Sequence, residues 1–148
     1  MGISTPKDIG SQIKAVACGA ATATAGGTGD NTAVTGASID RMGYNSGKLA
    51  IGYRTSVTAA KTLSFAVEYQ ESSDNSTWDT AVALQAATTA ETGALTNKVN
   101  QITFDVDLSN KKRYIRFNFT PDLSNTLTDT VDCAAIFVMG GADTLPAV

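Results

Sequence analysis

Residues 63–79 read LSFAVEYQESSDNSTWD, and their pattern decides the fold class. Leu63, Phe65, Val67 and Tyr69 alternate with Ser64, Ala66, Glu68 and Gln70. Successive side chains of an extended chain point to opposite faces, so this alternation predicts a strand with one face on a core and one in water. Ser72, Ser73, Asp74, Asn75 and Ser76 follow. Their short polar side chains bond to nearby backbone, and Asn and Asp tolerate positive φ. A hairpin turn is therefore favoured over a loop that grips a sugar, a metal or a base. Trp78, the only tryptophan, is expected to open the next strand and close one end of a modest core.

The alternation continues outward along the chain. Ile102, Phe104, Val106 and Leu108 alternate with Thr103, Asp105 and Asp107, and Ile115, Phe117 and Phe119 with Tyr114, Arg116, Asn118 and Thr120. Residues 48–57 place Leu49, Ile51, Tyr53 and Thr55 on one face, with Gly52 as a candidate bulge. Residues 130–139 place Val131, Cys133, Ala135, Phe137 and Met139 on one face. The other face of that segment starts at Asp132 but continues with Ala134, Ile136 and Val138. It is expected to be covered on both sides, as a central strand or at a contact with another subunit.

Weaker strand patterns cover 13–24 and 32–40. The glycine-rich loop between them, residues 25–31, lacks the Gly-Lys-Ser/Thr ending and the following helix of a phosphate loop. Residues 81–95 are ambiguous, and a strand from 78 to about 84 followed by a long loop is expected there. The sum is an all-β chain: an antiparallel β-sandwich or jelly roll of about eight strands. It would occupy residues 13–141, between an N-terminal arm (1–12) and a C-terminal tail (142–148).

At 148 residues the chain fits one domain, and a domain of this size buries roughly two-thirds of its unfolded surface without help from a metal or a disulfide. A net charge of −3 argues against a nucleic-acid partner, which needs a basic stripe. The nearest such stripe is Lys111, Lys112, Arg113 and Arg116, interleaved with Tyr114, Phe117 and Phe119, and a solvated start of a strand accounts for it. Cys18 and Cys133 each lie in an alternating segment and read as small buried hydrophobes, with a disulfide between the first and last strands left open. The first ten residues contain no apolar signal-peptide core, and no stretch approaches the ~18 apolar residues of a membrane helix. A soluble chain made in a cytoplasm, with no membrane partner, is expected.

Catalytic groups are scarce. The sequence contains no histidine, which removes the usual Ser-His and Cys-His nucleophile systems and His-ligated zinc. Asp105 and Asp107, or Asp74 and Asp79, could pair as an acid and a base, but a raised pKa in a cleft would be needed. Solubility accounts for both pairs. Asp74, Asn75 and Asp79 lack the dense oxygen spacing of a dedicated calcium loop. No cofactor and no enzymatic activity are expected.

Two passages carry a resemblance. VEYQESSDNSTW (67–78) is similar to a strand, Ser-x-Asp-x-x-x-Trp, strand phrase found in viral and carbohydrate-binding sandwiches. KKRYIRFNFTPDLSNTLTDTVDCAAIFVMGGADTLPAV (111–148) resembles small structural proteins encoded in the head-gene region of tailed bacteriophages, most of all in its RYIR strand and its Gly-Gly-x-Asp-x-Leu-Pro ending. That resemblance implies a capsid decoration (cement) protein of β-sandwich type. It would sit on the outside of a virion shell, bind the major capsid protein, and assemble with copies of itself, often as a trimer. It carries over no catalytic residue. Ile3 and Ile9 in the arm and Ile13 just after it, with Leu145 and Pro146 in the tail, are the candidate capsid or subunit contacts. A tail or vertex protein is a related alternative. A carbohydrate-binding module is the alternative of a different class, and Tyr44 and Trp78 would be its sugar contacts.

Overall fold

A computed structural model describes residues 9–125 and 128–143. A short 3-10 turn (Ile9–Ser11) precedes nine strands: β1 (Lys14–Thr24), β2 (Val34–Thr35), β3 (Ile39–Asp40), β4 (Tyr44–Val57), β5 (Thr62–Ser72), β6 (Val82–Thr92), β7 (Leu95–Asp107), β8 (Tyr114–Leu123) and β9 (Thr130–Ala142). All pairings are antiparallel and most are nested. β1 pairs with β9, β2 and β3 with β8, β4 with β7, and β5 with β6. The chain is thus one long hairpin whose tip is the β5–β6 turn. It is rolled up so that β4 also meets β9 and β5 also meets β8.

Rolling produces two sheets face to face, a front sheet in the order β1-β9-β4-β7 and a back sheet in the order β2-β8-β5-β6 with β3 also on β8. With β2 and β3 taken as halves of one strand, this is the eight-stranded jelly roll. The strand is broken at Gly36, where a Cβ would overlap the carbonyl oxygen of Phe117. The Gly36 amide there donates to Asn118 Oδ1 at 3.3 Å instead of to a ladder carbonyl.

The expected inner faces fill the space between the sheets. Leu63, Phe65 and Val67 meet Leu49, Ile51 and Tyr53, together with Ile115, Phe117 and Phe119 and with Val131, Ala135, Phe137 and Met139. Phe65, Phe117, Phe119 and Phe137 are fully buried, and burying each contributes roughly 1.5–3 kcal/mol. Phe117 and Phe137 join the two sheets with ring centroids 4.6 Å apart.

Three expectations need correction. Gly52 is no bulge, because β4 keeps register there and slips only between Thr55 and Val57. Residues 85–92 are not a long loop but the body of β6, pairing with β5 through three irregularities. The Thr-rich composition suits an extended chain, and the slips scramble its alternation. Residue 78 lies outside any strand, since β6 begins at Val82.

Candidate functional site

The serine-rich run after β5 is held by its own side chains. Asp74 Oδ1 accepts the Ser72 hydroxyl at 2.9 Å and the amides of Ser76 and Thr77 at 2.9 and 2.8 Å. Those donors hold the Asp74 carboxyl well below the usual carboxylate range. Asn75 takes a φ of 60°, as a residue in such a turn must. Trp78 is half-buried, with the Arg116 guanidinium 4.3 Å from its ring centroid. It does not close the core. Asp79 anchors the segment to the end of β5, its amide donating to the Glu71 carbonyl and its carbonyl accepting from Gln70 Nε2.

Tyr44, the other candidate sugar contact, lies in a strand. It opens β4 beside Ala142 and is 4% exposed. Tyr53 is also buried, and its hydroxyl donates to Glu91 Oε1 at 2.9 Å. Tyr44 therefore offers no ring to solvent and Trp78 is covered on one side, so the two do not form a stacking platform for a sugar.

Three of the four cations of the basic run are paired with acids, and Arg116 instead donates to Gln70 Oε1. Lys111 pairs with Glu71 at 3.2 Å, Lys112 with Asp79 at 2.7 Å and Arg113 with Asp40 at 2.7 Å. Phe117 and Phe119 point into the core. Asp105 pairs with Lys48 at 2.6 Å. The Ser109 hydroxyl and amide donate to Asp107 and lower its pKa, the opposite of what a general acid requires. Among the described residues no group of three or more His, Cys, Asp or Glu could hold a metal ion. Cys18 and Cys133 are free, buried thiols, each pushed up to about 11 by burial.

Of the expected contact residues, Ile9 is 68% exposed in the 3-10 turn. Ile13 lines a shallow depression with Ser46, Lys48, Val138 and Gly140, at one end of the front sheet. Ile3, Leu145 and Pro146 lie outside the described residues.

One apolar surface is a feature that only part of the sequence pattern signalled. β9 is central, as expected, yet its outer face is uncovered, and Ile136 is 48% exposed. Register places Ala50 of β4 and Ala17 of β1 beside Ile136, and Gly52 and Ala20 beside Ala134. Val99 of β7, 72% exposed, lies next to Arg54. A shallow depression of about 880 Å³ opens over Ala20, Gly52 and Ala134, rimmed by Arg54, Asp132 and Val99. Ala134, Ile136 and Val138 announced this face. Ala50, Gly52 and Val99 did not, since nothing local says which strands lie beside β9.

No protein-family profile matches the sequence, and no curated protein matches it at a significant level. Solved structures do match. A structure of infectious bursal disease virus, Gt strain, superposes with a TM-score of 0.56 at 14% identity, covering 91% of this chain and 34% of that one. The crystal structure of the VP2 subviral particle of infectious bursal disease virus gives 0.54 at 10% identity, covering 89% and 33%. The chain thus shares its fold with part of these virus-particle chains. At these identities the likeness concerns the fold, and the chain spans about a third of the length of each neighbour.

Proposed function

We propose that this chain is a non-enzymatic virion structural protein, a decoration protein that binds the major capsid protein on the outside of a bacteriophage shell and stabilises it. The observation that carries the proposal is the nested jelly-roll pairing, matched over about nine-tenths of the chain in virus particles. The surface supports it in a second way. Lys111, Lys112 and Arg113 each pair with an acid, as do Lys48 with Asp105 and Arg54 with Asp132, an arrangement suited to holding shape. The head-region resemblance of residues 111–148 supplies the phage setting. A subunit repeated over a shell binds through many small contacts, each raising the effective concentration of the next.

The test is quantitative mass spectrometry of density-purified particles from the source culture. A copy number comparable with the major shell protein is expected. A few copies per particle would move the chain to a tail or vertex, and absence from particles would overturn the virion assignment.

A further inference from the structure

The outer faces of the two sheets differ in kind. On the back sheet the outward residues of β5 and β8 bond to one another, with Arg116 Nε and Asn118 Nδ2 each donating to Gln70 Oε1 at 3.0 Å. The front sheet presents Ile136, Val138 and Val99, with Ala134, Ala50 and Gly52 between them and Gln101 and Thr103 along β7, and among the described residues no side-chain hydrogen bond crosses Ala50, Gly52, Ala134 and Ile136. Its charges sit at the two ends, as Lys48–Asp105 and Arg54–Asp132 ion pairs of 2.6 and 2.9 Å. We propose that this face is a self-association surface, on which a second copy of the chain packs about a two-fold axis parallel to the strands and running between β4 and β9.

The register carries the proposal. β4 and β9 are adjacent, and across them Ile136 lies beside Ala50, Ala134 beside Gly52 and Asp132 beside Arg54. A two-fold axis along the strands exchanges β4 with β9 and leaves each row in place. Ile136 of one copy then stands over Ala50 of the other, and Ala134 over Gly52, so the ridge of β9 enters the trough of β4 in both directions. Arg54 of each copy meets Asp132 of the other. That reciprocity is what an isologous interface demands, residue i meeting j while j meets i. The face carries two cations and two anions, so identical copies meet without net repulsion although the chain as a whole is at −3.

Size is consistent with a specific contact. Four strands ~4.8 Å apart, over about ten residues at ~3.3 Å each, cover roughly 600 Å² per copy, or about 1,200 Å² in all, the lower end of the range for specific interfaces. A two-fold axis along the strands keeps the strand directions of the two copies aligned, within the ~30° of aligned sheet-on-sheet packing. The proposal does not depend on the virion assignment.

Sedimentation velocity on the full chain over a concentration series tests it. The expected species is a dimer of twice the 15.3 kDa chain mass. Ile136→Glu is expected to leave a folded monomer. Arg54→Asp and Asp132→Arg, each alone, are expected to weaken the dimer at least ~10-fold, because each sets like charges against each other twice. Mixed in equal amounts, the two variants are expected to recover a heterodimer, which a misfolded variant could not do. A wild-type chain that stays monomeric at millimolar concentration overturns the proposal. So does an oligomer that Ile136→Glu leaves intact, or a mixture that does not recover association. A monomeric wild type whose binding to capsid particles is lost on Ile136→Glu also overturns it, and would assign the face to the shell protein.

Discussion

Gly47→Ala perturbs the core at a single methyl group. Gly47 lies in β4 between Met139 of β9 and Val106 of β7. The ring of Phe137 lies over it, so that a Cβ would overlap Cζ and stand 2.7 Å from Cε2. The ring has little room to retreat, because Phe137 is fully buried and Phe117 packs against it at 4.6 Å. Overpacking of this kind costs typically ~1–3 kcal/mol. For a domain of this size that lowers Tm by roughly 3–10 °C. The assay is thermal and urea unfolding followed by circular dichroism. The double variant Gly47→Ala/Phe137→Leu separates the clash from any general weakening of β4. Phe137→Leu alone opens a cavity into which the new methyl can settle, so the double variant is expected to be at least ~0.5 kcal/mol more stable than the sum of the singles. A Tm within about 1 °C of wild type for Gly47→Ala, or strict additivity, would refute the assigned packing.

Phe117→Ala, which empties the centre of the core, is expected to cost ~3–5 kcal/mol, whereas Trp78→Ala is expected to cost under ~1.5 kcal/mol; chemical denaturation of both variants checks the ranking, and a larger loss at Trp78 would put the indole in the core after all. Asp40, Asp74, Asp107 and Asp132 have folded pKa values lowered by donors or by arginine, so their contribution to stability is fully present above their unfolded values and is lost as pH falls. Tm is therefore expected to hold from pH 7 to about 5 and to fall below about 4, with Asp74→Asn flattening part of that fall. Cys18 and Cys133, raised from 9.0 to about 11, act in the other direction: the unfolded thiols ionise first, so stability is expected to drop as pH rises through 9 to 11. At neutral pH neither thiol should react with a disulfide reagent faster than the chain unfolds, and rapid labelling of the native protein would contradict their burial.

The period-two pattern determined which residues of β5, β8 and β9 face inward, because a slip of one residue would turn every apolar side chain to water. Leu63, Phe65, Ile115, Phe117, Val131 and Phe137 were legible for that reason, and so was the turn built around Asp74. β6 was illegible because an edge strand of Ala and Thr with three slips in its pairing has no alternation to read. The burial of Tyr44 and the half-burial of Trp78 were illegible for a similar reason. Burial of a residue at a strand end depends on what pairs with it, here Ala142, or on what it meets across the surface, here Arg116. The nested pairing of β1 with β9 and of β4 with β7 joins residues as distant in sequence as Lys14 and Met139, and no local pattern encodes it. That pairing alone set Ala50 and Gly52 beside Ile136 and Ala134 and Arg54 beside Asp132. The sequence by itself thus determined that this chain is a two-sheet β protein with an aromatic core and few groups capable of catalysis. Only the tertiary structure decided which outer face is left apolar. A strand fixes the spacing of its own side chains, whereas its neighbours are chosen by the balance of the whole fold.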